Sequence, residues 1–422
     1  MSTADRPPLV KRWATDGTAY LIAGTIVHSF INYVYQLIGA RTLGEVAFAP
    51  VASLLALSFL MFAIVLVPIE QLVIRAVTFR GGFDRDPRPT IRFAVAGTVV
   101  VAAAIALVGT ERLFAGQKGF VVLVVASVTA HSLYVVGRGQ LAGTRRFAAY
   151  GAATAGNALL RFVIALGIIA IVPSGIGVGA ALVAGPLIIL FWPSSVRLPG
   201  AETAHSDENP SRFLMSFVLA AAASQVLLIA GPLAAGAMGA AAAEISIIYV
   251  TLTIARAPLV LSGSLVARVL PPFTNLAKLG FDAELNRWVV RLTAGGLVLA
   301  LPIGLLSAQV GPAVVSILFG SGFRPTPAFV GMAGAGIVVA GASMFVGQVL
   351  VARGDTARLA LGWGIALVVA VVALVFTDAE LSTRIGLAFL LGELAALGAT
   401  AVFSYRFGVT ADGGDGADAE PE

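Results

Sequence analysis

Residues 47–68 read AFAPVASLLALSFLMFAIVLVP, which is 22 positions without a charged side chain. A helix needs about 20 predominantly apolar residues to cross the hydrocarbon core of a bilayer. A basic segment containing Arg75, Arg80, Arg85 and Arg88 follows this stretch. Because basic residues accumulate on the cytoplasmic side of membrane proteins, the stretch predicts a transmembrane helix whose C-terminal end faces the cytoplasm.

The same pattern recurs along the chain and predicts an all-α integral membrane protein with twelve transmembrane helices. Hydrophobic residues make up 58% of the 422 positions and charged residues 12%, whereas soluble domains are roughly 25% charged. The predicted spans are residues 19–40, 47–68, 91–109, 119–137, 148–172, 175–192, 213–235, 243–265, 291–311, 327–350, 357–376 and 384–406.

Positive charges are distributed unevenly between the two sides of these spans. With the N-terminus inside, 20 of the 27 Lys and Arg residues fall on the cytoplasmic side and two lie within spans. This bias predicts that both termini are cytoplasmic and that the protein is a multi-pass protein of the cell membrane. The net charge of +5 therefore indicates contact with membrane lipids rather than nucleic acid. The five outer residues are Arg41, Arg112, Lys118, Arg324 and Arg384.

A polar interruption between spans six and seven divides the chain into two halves of six helices. Two local similarities suggest that the halves are a parallel repeat: Gly139–Phe147 resembles Gly347–Arg358, and Thr42–Gly44 resembles Ala237–Gly239. Chance likeness between helices rich in Ala, Gly and Leu is the alternative. In transporters built from such repeats, the substrate site lies where the two repeats meet.

The predicted domains are a cytoplasmic N-terminal segment 1–18, an N-lobe 19–192, a cytoplasmic linker 193–212, a C-lobe 213–406 and a disordered acidic tail 407–422. Prolines in or near the spans are predicted to kink or hinge the helices. They are Pro68, Pro186, Pro232, Pro258 and Pro302.

Several classes of chemistry find no support in the sequence. There is no cysteine, and the three histidines form no metal-spaced pair. No extramembrane segment is long enough for a folded catalytic domain, and no nucleotide-binding loop is present. We therefore expect a protein that is not an enzyme and has no catalytic residue, metal site or cofactor.

Polar residues inside the spans are the candidate substrate-binding residues, because an ionisable group at membrane depth usually faces a cavity or a partner. In span eight, Tyr249, Thr253 and Arg256 recur at helical spacing and form one polar stripe. A guanidinium in such a place suits a phosphate or pyrophosphate group. Snorkelling, or pairing with an acid, is the alternative for this arginine.

Two further groups of polar residues occupy the N-terminal half. Asn157 and Arg161 are four residues apart in span five and share a helix face. Asn32 and Gln36 do the same in span one, and Arg41 follows near the outer end. A structural salt bridge and an interhelical hydrogen-bond network are the respective alternatives.

Three membrane carboxylates are candidates for coupling transport to an ion gradient. Glu393 lies near the middle of span twelve, Glu70 follows the end of span two, and Glu244 begins span eight. Each can take up H⁺ or Na⁺, or serve as a fixed partner for an arginine.

The loops carry a family resemblance. Leu141–Phe147, Ile254–Pro258, Val269–Pro272 and Val351–Gly354 are similar to loop and helix motifs of the multidrug/oligosaccharidyl-lipid/polysaccharide exporter superfamily, in particular its polysaccharide flippase branch. Gly39-Ala-Arg-Thr-Leu-Gly44 resembles the element between its first two spans, and Ile317-Leu-Phe-Gly320 with Phe323 resembles its turn after span nine.

The resemblance implies two six-helix lobes around a central cavity that opens alternately to each side. It implies export of a lipid-linked, polyprenyl-pyrophosphate-bound oligosaccharide or polysaccharide precursor, with Arg256 and Arg161 engaging the anionic headgroup. Polysaccharide-assembly proteins are the expected protein partners. Span one carries His28 and Asn32 where relatives that move peptidoglycan precursors have arginines.

Two other functions compete with flipping of a lipid-linked glycan. An ion-coupled multidrug exporter of the same fold would carry cations, and so would need acids in its cavity. A membrane glycosyltransferase or glycan polymerase would need a large outer loop with catalytic acids, which the sequence lacks.

Overall fold

A computed structural model of the protein describes residues 18–78, 83–197 and 209–405, and the side chains of these residues except 18, 220 and 260–268. Every regular element in these ranges is a helix. The predicted N-terminal segment, most of the predicted linker and the predicted acidic tail lie outside the described residues.

The described residues of the first half of the chain form eight α-helices. A π-helical turn at Phe62–Leu66 joins α2 to α3, and 3₁₀ turns at Gly185–Phe191 and Pro193–Val196 follow α8. The helices are α1 Thr18–Ala47, α2 Ala49–Met61, α3 Val67–Thr78, α4 Pro87–Val108, α5 Thr110–Phe114, α6 Gly119–Gly143, α7 Phe147–Ile171 and α8 Gly175–Ala184.

The described residues of the second half of the chain form eight further α-helices. These are α9 Pro210–Ile229, α10 Gly231–Ala237, α11 Ala242–Ala255, α12 Ala257–Lys278, α13 Asp282–Phe319, α14 Pro327–Ala352, α15 Thr356–Phe376 and α16 Leu381–Ser404.

Eleven helical stretches are long and apolar enough to cross a bilayer, and each corresponds to a predicted span. The sixth predicted span, 175–192, corresponds to a shorter apolar helix, Gly175–Phe191. Some observed helix boundaries differ from the predicted ones. Predicted span nine, 291–311, lies within the 38-residue α13, and the helical stretch of span two continues to Thr78. The apolar side chains of α4 and α13 are largely exposed, which only a lipid environment can accommodate.

Spans seven and eight are not single helices. The stretch predicted as span eight, 243–265, is interrupted at Arg256, because α11 ends at Ala255 and α12 begins at Ala257, although Ala242–Leu259 as a whole is long and apolar enough to cross a bilayer. Pro258 lies in the first turn of α12, and a proline cannot donate the hydrogen bond that would continue the preceding helix. Span seven breaks in the same way between α9 and α10, beside Pro232.

The described chain divides into two compact units. Unit 1 consists of the chain up to Ala222 with Gly236–Ser246 and Leu318–Phe323, and unit 2 consists of Ala223–Ala235, Ile247–Ile317 and the chain from Arg324 onward. The division thus assigns three short segments of the predicted C-lobe, 213–222, 236–246 and 318–323, to unit 1.

Each unit has its own apolar core. In unit 1, α3 packs against α6 and the 3₁₀ turn after α8 through residues such as Leu72, Val135 and Ile189. In unit 2, α14 and α16 meet through Val346 and Leu397. These helices hold the polar groups described below at fixed positions.

Thr42–Gly44 and Ala237–Gly239, two segments whose similarity suggested a repeat, end in glycines with similar backbone conformations. Gly44, in Thr42–Gly44, has φ +76°, and Gly239, in Ala237–Gly239, has φ +85°. Side chains disfavour positive φ, so glycine is the residue that suits both turns. The shared geometry is what a duplicated turn would have.

Polar contacts join residues that the predicted topology places on one side of the membrane. Arg138 forms an ion pair with Glu70 at 3.0 Å, and Arg353 forms one with Asp282 at 2.6 Å. All four are predicted at cytoplasmic helix ends. Because the members of each pair are about 70 residues apart in sequence, the contacts agree with the predicted up–down alternation.

Candidate functional site

The break between α11 and α12 places Arg256 at the N-terminus of α12, in unit 2. Its Nε donates to the Leu252 carbonyl at 3.0 Å and its Nη1 to the Leu228 carbonyl at 3.0 Å. Its Nη2 donates to Thr253 Oγ1 at 3.2 Å. The guanidinium is thereby held in one orientation without a carboxylate among these three partners.

Arg256 lines a cavity of about 380 Å³ that lies entirely within unit 2 and whose wall contains both polar and apolar residues. Gln225 from α9 and Gln348 from α14 also line this cavity, and Trp363 from α15 forms part of its wall. We call it the Arg256 cavity. A fixed guanidinium beside amide groups can bind an oxyanion through several charge-assisted and neutral hydrogen bonds.

An apolar cavity of about 590 Å³ adjoins the same helix break. Its walls include Ile254, Pro258 and Leu259, together with aliphatic residues of α13 and α14. Leu259 also lines the Arg256 cavity, so one side chain borders both spaces. A charged end and a hydrocarbon end of one molecule would therefore find suitable surroundings on either side of Leu259.

The rest of the predicted polar stripe of span eight is buried. Tyr249 and Thr253 have 1% and 5% of their surface exposed, and neither lines the Arg256 cavity. Thr253 instead orients Arg256 through its hydroxyl. Helical spacing placed Thr253 beside the arginine but did not distinguish a supporting residue from a residue of the cavity wall.

Arg161 lies in unit 1 and is 1% exposed. Its Nη1 donates to Asn32 Oδ1 at 2.7 Å and its Nη2 to Asn157 Oδ1 at 3.2 Å. Its guanidinium carbon lies 5.5 Å from the centroid of the Tyr35 ring, within cation–π range. The structure thus joins three predicted site residues in one cluster that ties α1 to α7.

Other predicted residues of span one occupy different surroundings. Gln36 is 2% exposed and its Nε2 donates to the Asn32 carbonyl at 3.1 Å. Arg41 is exposed, and its Nη1 donates to the Leu318 carbonyl at 3.2 Å, within unit 1.

Glu70 belongs to a second buried cluster of unit 1. Besides the ion pair with Arg138, Glu70 Oε1 accepts a hydrogen bond from the Tyr150 hydroxyl at 2.9 Å. Arg138 also lies over the rings of Tyr134 and Tyr150. Glu70 is therefore already engaged by a fixed cation, which is the alternative that the sequence left open for it. Arg138 and Tyr150 occupy predicted helix ends and are not among the predicted site residues.

The other two acids contrast with each other. Glu244 is half-buried in the first turn of α11. Glu393 is completely buried in α16, and neither of its carboxyl oxygens has a hydrogen-bond partner among the described residues.

Comparison with known proteins adds relatives of the same fold. No protein-family model matches the chain. Uncharacterized proteins of Mycobacterium tuberculosis (strain H37Rv) and Mycobacterium bovis are 26% and 25% identical over 334 residues, which is 74% of this chain and 74% of each relative.

Solved transporter structures cover almost the whole chain. An inward-facing multidrug resistance MATE family transporter of the MOP superfamily has a TM-score of 0.59 at 12% identity, covering 92% of this chain and 93% of its own. The lipid II flippase MurJ, in an inward closed conformation, has a TM-score of 0.58 at 10% identity, with coverages of 93% and 87%. A Vibrio cholerae MATE transporter, as a mutant, has a TM-score of 0.54 at 13% identity, with coverages of 93% and 97%.

The chain has the fold of these transporters. The sequence resemblance thus holds at the level of fold, since both multidrug transporters and a lipid flippase share the architecture. At these identities the likeness carries no information about substrate, because one fold serves many functions and the site decides which.

Proposed function

We propose that this protein is a transporter that moves a lipid-linked oligosaccharide or polysaccharide precursor across the cytoplasmic membrane by alternating access. The precursor would be carried on polyprenyl pyrophosphate, and an ion gradient would drive the cycle. The observation that carries the proposal is the position of Arg256 at a helix break, where it lines one cavity and lies next to a second cavity with aliphatic walls.

The two cavities match the two parts of such a substrate. The pyrophosphate is an oxyanion, and the guanidinium of Arg256 with the amides of Gln225 and Gln348 offers it donors. The polyprenyl chain is a branched hydrocarbon, for which the aliphatic walls beyond Leu259 are suitable. Among the described lining residues of the Arg256 cavity there is no Asp or Glu, so an anionic headgroup meets no like charge.

A multidrug exporter is the second candidate. The apolar cavity of about 590 Å³ favours it, since a cavity of this size and lining accepts a drug-sized apolar molecule. A cationic drug, however, would meet Arg256 rather than a carboxylate in the adjoining space. We therefore rank this function behind the flippase.

Binding of a pyrophosphate lipid by the purified full-length chain tests the proposal. The probe is undecaprenyl pyrophosphate, and uncharged undecaprenol serves as its analogue. We expect the pyrophosphate to raise the thermal unfolding midpoint more than undecaprenol does. Arg256→Gln should weaken pyrophosphate binding roughly tenfold or more, because a hydrogen bond to a charged group contributes about 1.5–3 kcal/mol. Arg256→Lys should keep part of the affinity, because it keeps the charge.

Arg287→Gln is the matched control, since it removes the same charge from an exposed position in unit 2. Equal binding of pyrophosphate and undecaprenol, or equal affinity of the Arg256→Gln and Arg287→Gln variants, would rule out an anion site at Arg256. Energy-dependent efflux of a cationic dye from cells expressing the protein, unaffected by Arg256→Gln, would favour the multidrug exporter instead.

A further inference from the structure

We propose that Glu393 is a proton-binding site of unit 2, and that its protonation controls access to the Arg256 cavity. The inference deepens the proposed function by assigning the coupling ion and the group that carries it. It starts from an unusual feature, a carboxyl group with no exposed surface and no hydrogen-bond partner among the described residues.

The surroundings of Glu393 favour a neutral carboxyl. It lies in the middle of α16, which packs closely on α14 and α15. Its neighbours along the helix, Gly392 and Leu394, contact apolar residues of α9, α14 and α15. An ionised carboxylate without a partner is so unfavourable in an apolar interior that the group takes up a proton instead. Glu393 thus holds a proton in this conformation.

No charged side chain of the described neighbouring helices compensates for Glu393. Helix α14 contains no titratable residue, and the one in α15, Arg358, pairs with Asp355 at the helix start. In α16 itself, Arg384 donates to the Leu374 carbonyl. Arg256, just before α12, donates to the Leu252 and Leu228 carbonyls and to the Thr253 hydroxyl. The other titratable side chains described in the packed helices are Arg212 of α9, Lys278 of α12, and Asp282, Glu284, Arg287 and Arg291 of α13. None of these forms an ion pair with Glu393.

The geometry favours H⁺ over a metal cation as the bound ion. Na⁺ binds through a shell of several oxygen ligands, as hard cations do generally. No described hydrogen-bonding group lies at the carboxyl oxygens of Glu393, so such a shell is missing from this conformation. A proton requires only the carboxyl group itself.

Ser343 of α14 connects Glu393 to the Arg256 cavity. Its hydroxyl lies 3.5 Å from the backbone carbonyl of Glu393, and Ser343 also lines the Arg256 cavity. Helix α14 therefore contacts α16 at Glu393 and forms part of the wall of the Arg256 cavity. When Glu393 loses its proton, the new charge needs water or a cation, and α14 and α16 must move apart to supply either. Loss of the proton thereby opens the wall of the cavity.

Infrared difference spectroscopy of the purified full-length protein tests the protonation state directly. We expect a protonated-carboxyl band at neutral pH that disappears at alkaline pH. The band should be absent in Glu393→Gln, which mimics the neutral acid in shape and should fold normally. It should remain in Glu380→Gln, which removes an exposed acid just before the same helix. A band of equal size in both variants would overturn the proposal.

A cysteine probe tests the link to the cavity. The natural chain has no cysteine, so Ala340→Cys introduces a single thiol at a buried position of the cavity wall. We expect the rate at which this thiol reacts with a water-soluble maleimide to increase with pH. The increase should be severalfold larger in the chain that keeps Glu393 than in the Glu393→Gln background. Equal pH dependence in both backgrounds would overturn the control of access. Neither readout uses the lipid probe, so each can fail or succeed independently of pyrophosphate binding.

Discussion

Arg161 and Arg256 are the two basic residues that the sequence places inside spans, and their surroundings differ. Arg256 lines a cavity, whereas Arg161 is enclosed by Asn32, Asn157 and the Tyr35 ring. A buried arginine with amide partners ties neighbouring helices together, because each partner would lose its donor if the arginine were removed. We therefore assign Arg161 a supporting role in unit 1 and expect Arg256 to carry the anion site.

Replacing Arg161 tests this difference. Arg161→Leu should lower the free energy of unfolding by about 2–3 kcal/mol, because it leaves Asn32 Oδ1 and Asn157 Oδ1 without their donor. The measurement is chemical unfolding of the purified protein in detergent. Arg92→Leu, at an exposed position of α4, is the control and should change stability little. Unchanged stability of Arg161→Leu combined with lost pyrophosphate binding would instead make Arg161 a substrate residue.

Prolines explain where the helices break. Of the five prolines predicted to kink or hinge spans, Pro186, Pro232 and Pro258 each lie in the first two residues of a new helical segment. Pro68 likewise is the second residue of α3, which begins after the π-helical turn of Phe62–Leu66. Only Pro302 lies within an uninterrupted helix. A missing N–H group predicts a break well, but whether a helix bends or ends depends on its neighbours.

Helices α13 and α14 approach each other closely at small residues. A Cβ added at Gly304 would lie 3.0 Å from Ala335 Cβ and 3.1 Å from the Gly331 carbonyl. Gly304→Leu should therefore destabilise unit 2 by about 1–3 kcal/mol, the usual effect of overpacking. Unfolding of the purified protein in detergent measures it.

Gly295→Leu is the matched control on the same helix, because nothing lies within 4 Å of a Cβ at that position. Both substitutions add the same helix propensity, so the difference between them isolates the close packing. Equal stability of the two variants would show that α13 and α14 can separate at Gly304 without loss.

The predicted orientation of the chain can be tested because the natural sequence contains no cysteine. Gln117→Cys lies in the turn between α5 and α6, on the predicted outer side, and Ser206→Cys lies in the predicted cytoplasmic linker. A membrane-impermeant maleimide applied to intact cells should label Gln117→Cys and leave Ser206→Cys unlabelled until the membrane is permeabilised. The reverse pattern would invert the positive-inside assignment.

The sequence by itself determined the all-helical membrane architecture, the order of the long apolar helices and the identity of the ionisable residues within them. Length and hydrophobicity are local properties, and a bilayer of fixed thickness converts them directly into spans. Eleven of twelve predicted spans accordingly match long helices.

Only the tertiary structure decided what each polar residue does. Arg161, Glu70 and Glu393 look alike in sequence, as single ionisable groups on apolar helices. In the structure Arg161 meets two amides, Glu70 meets Arg138 and Tyr150, and the Glu393 carboxyl meets no described partner. Whether a buried charge is compensated depends on helices distant in sequence, because hydrogen bonds and ion pairs act only over a few ångströms.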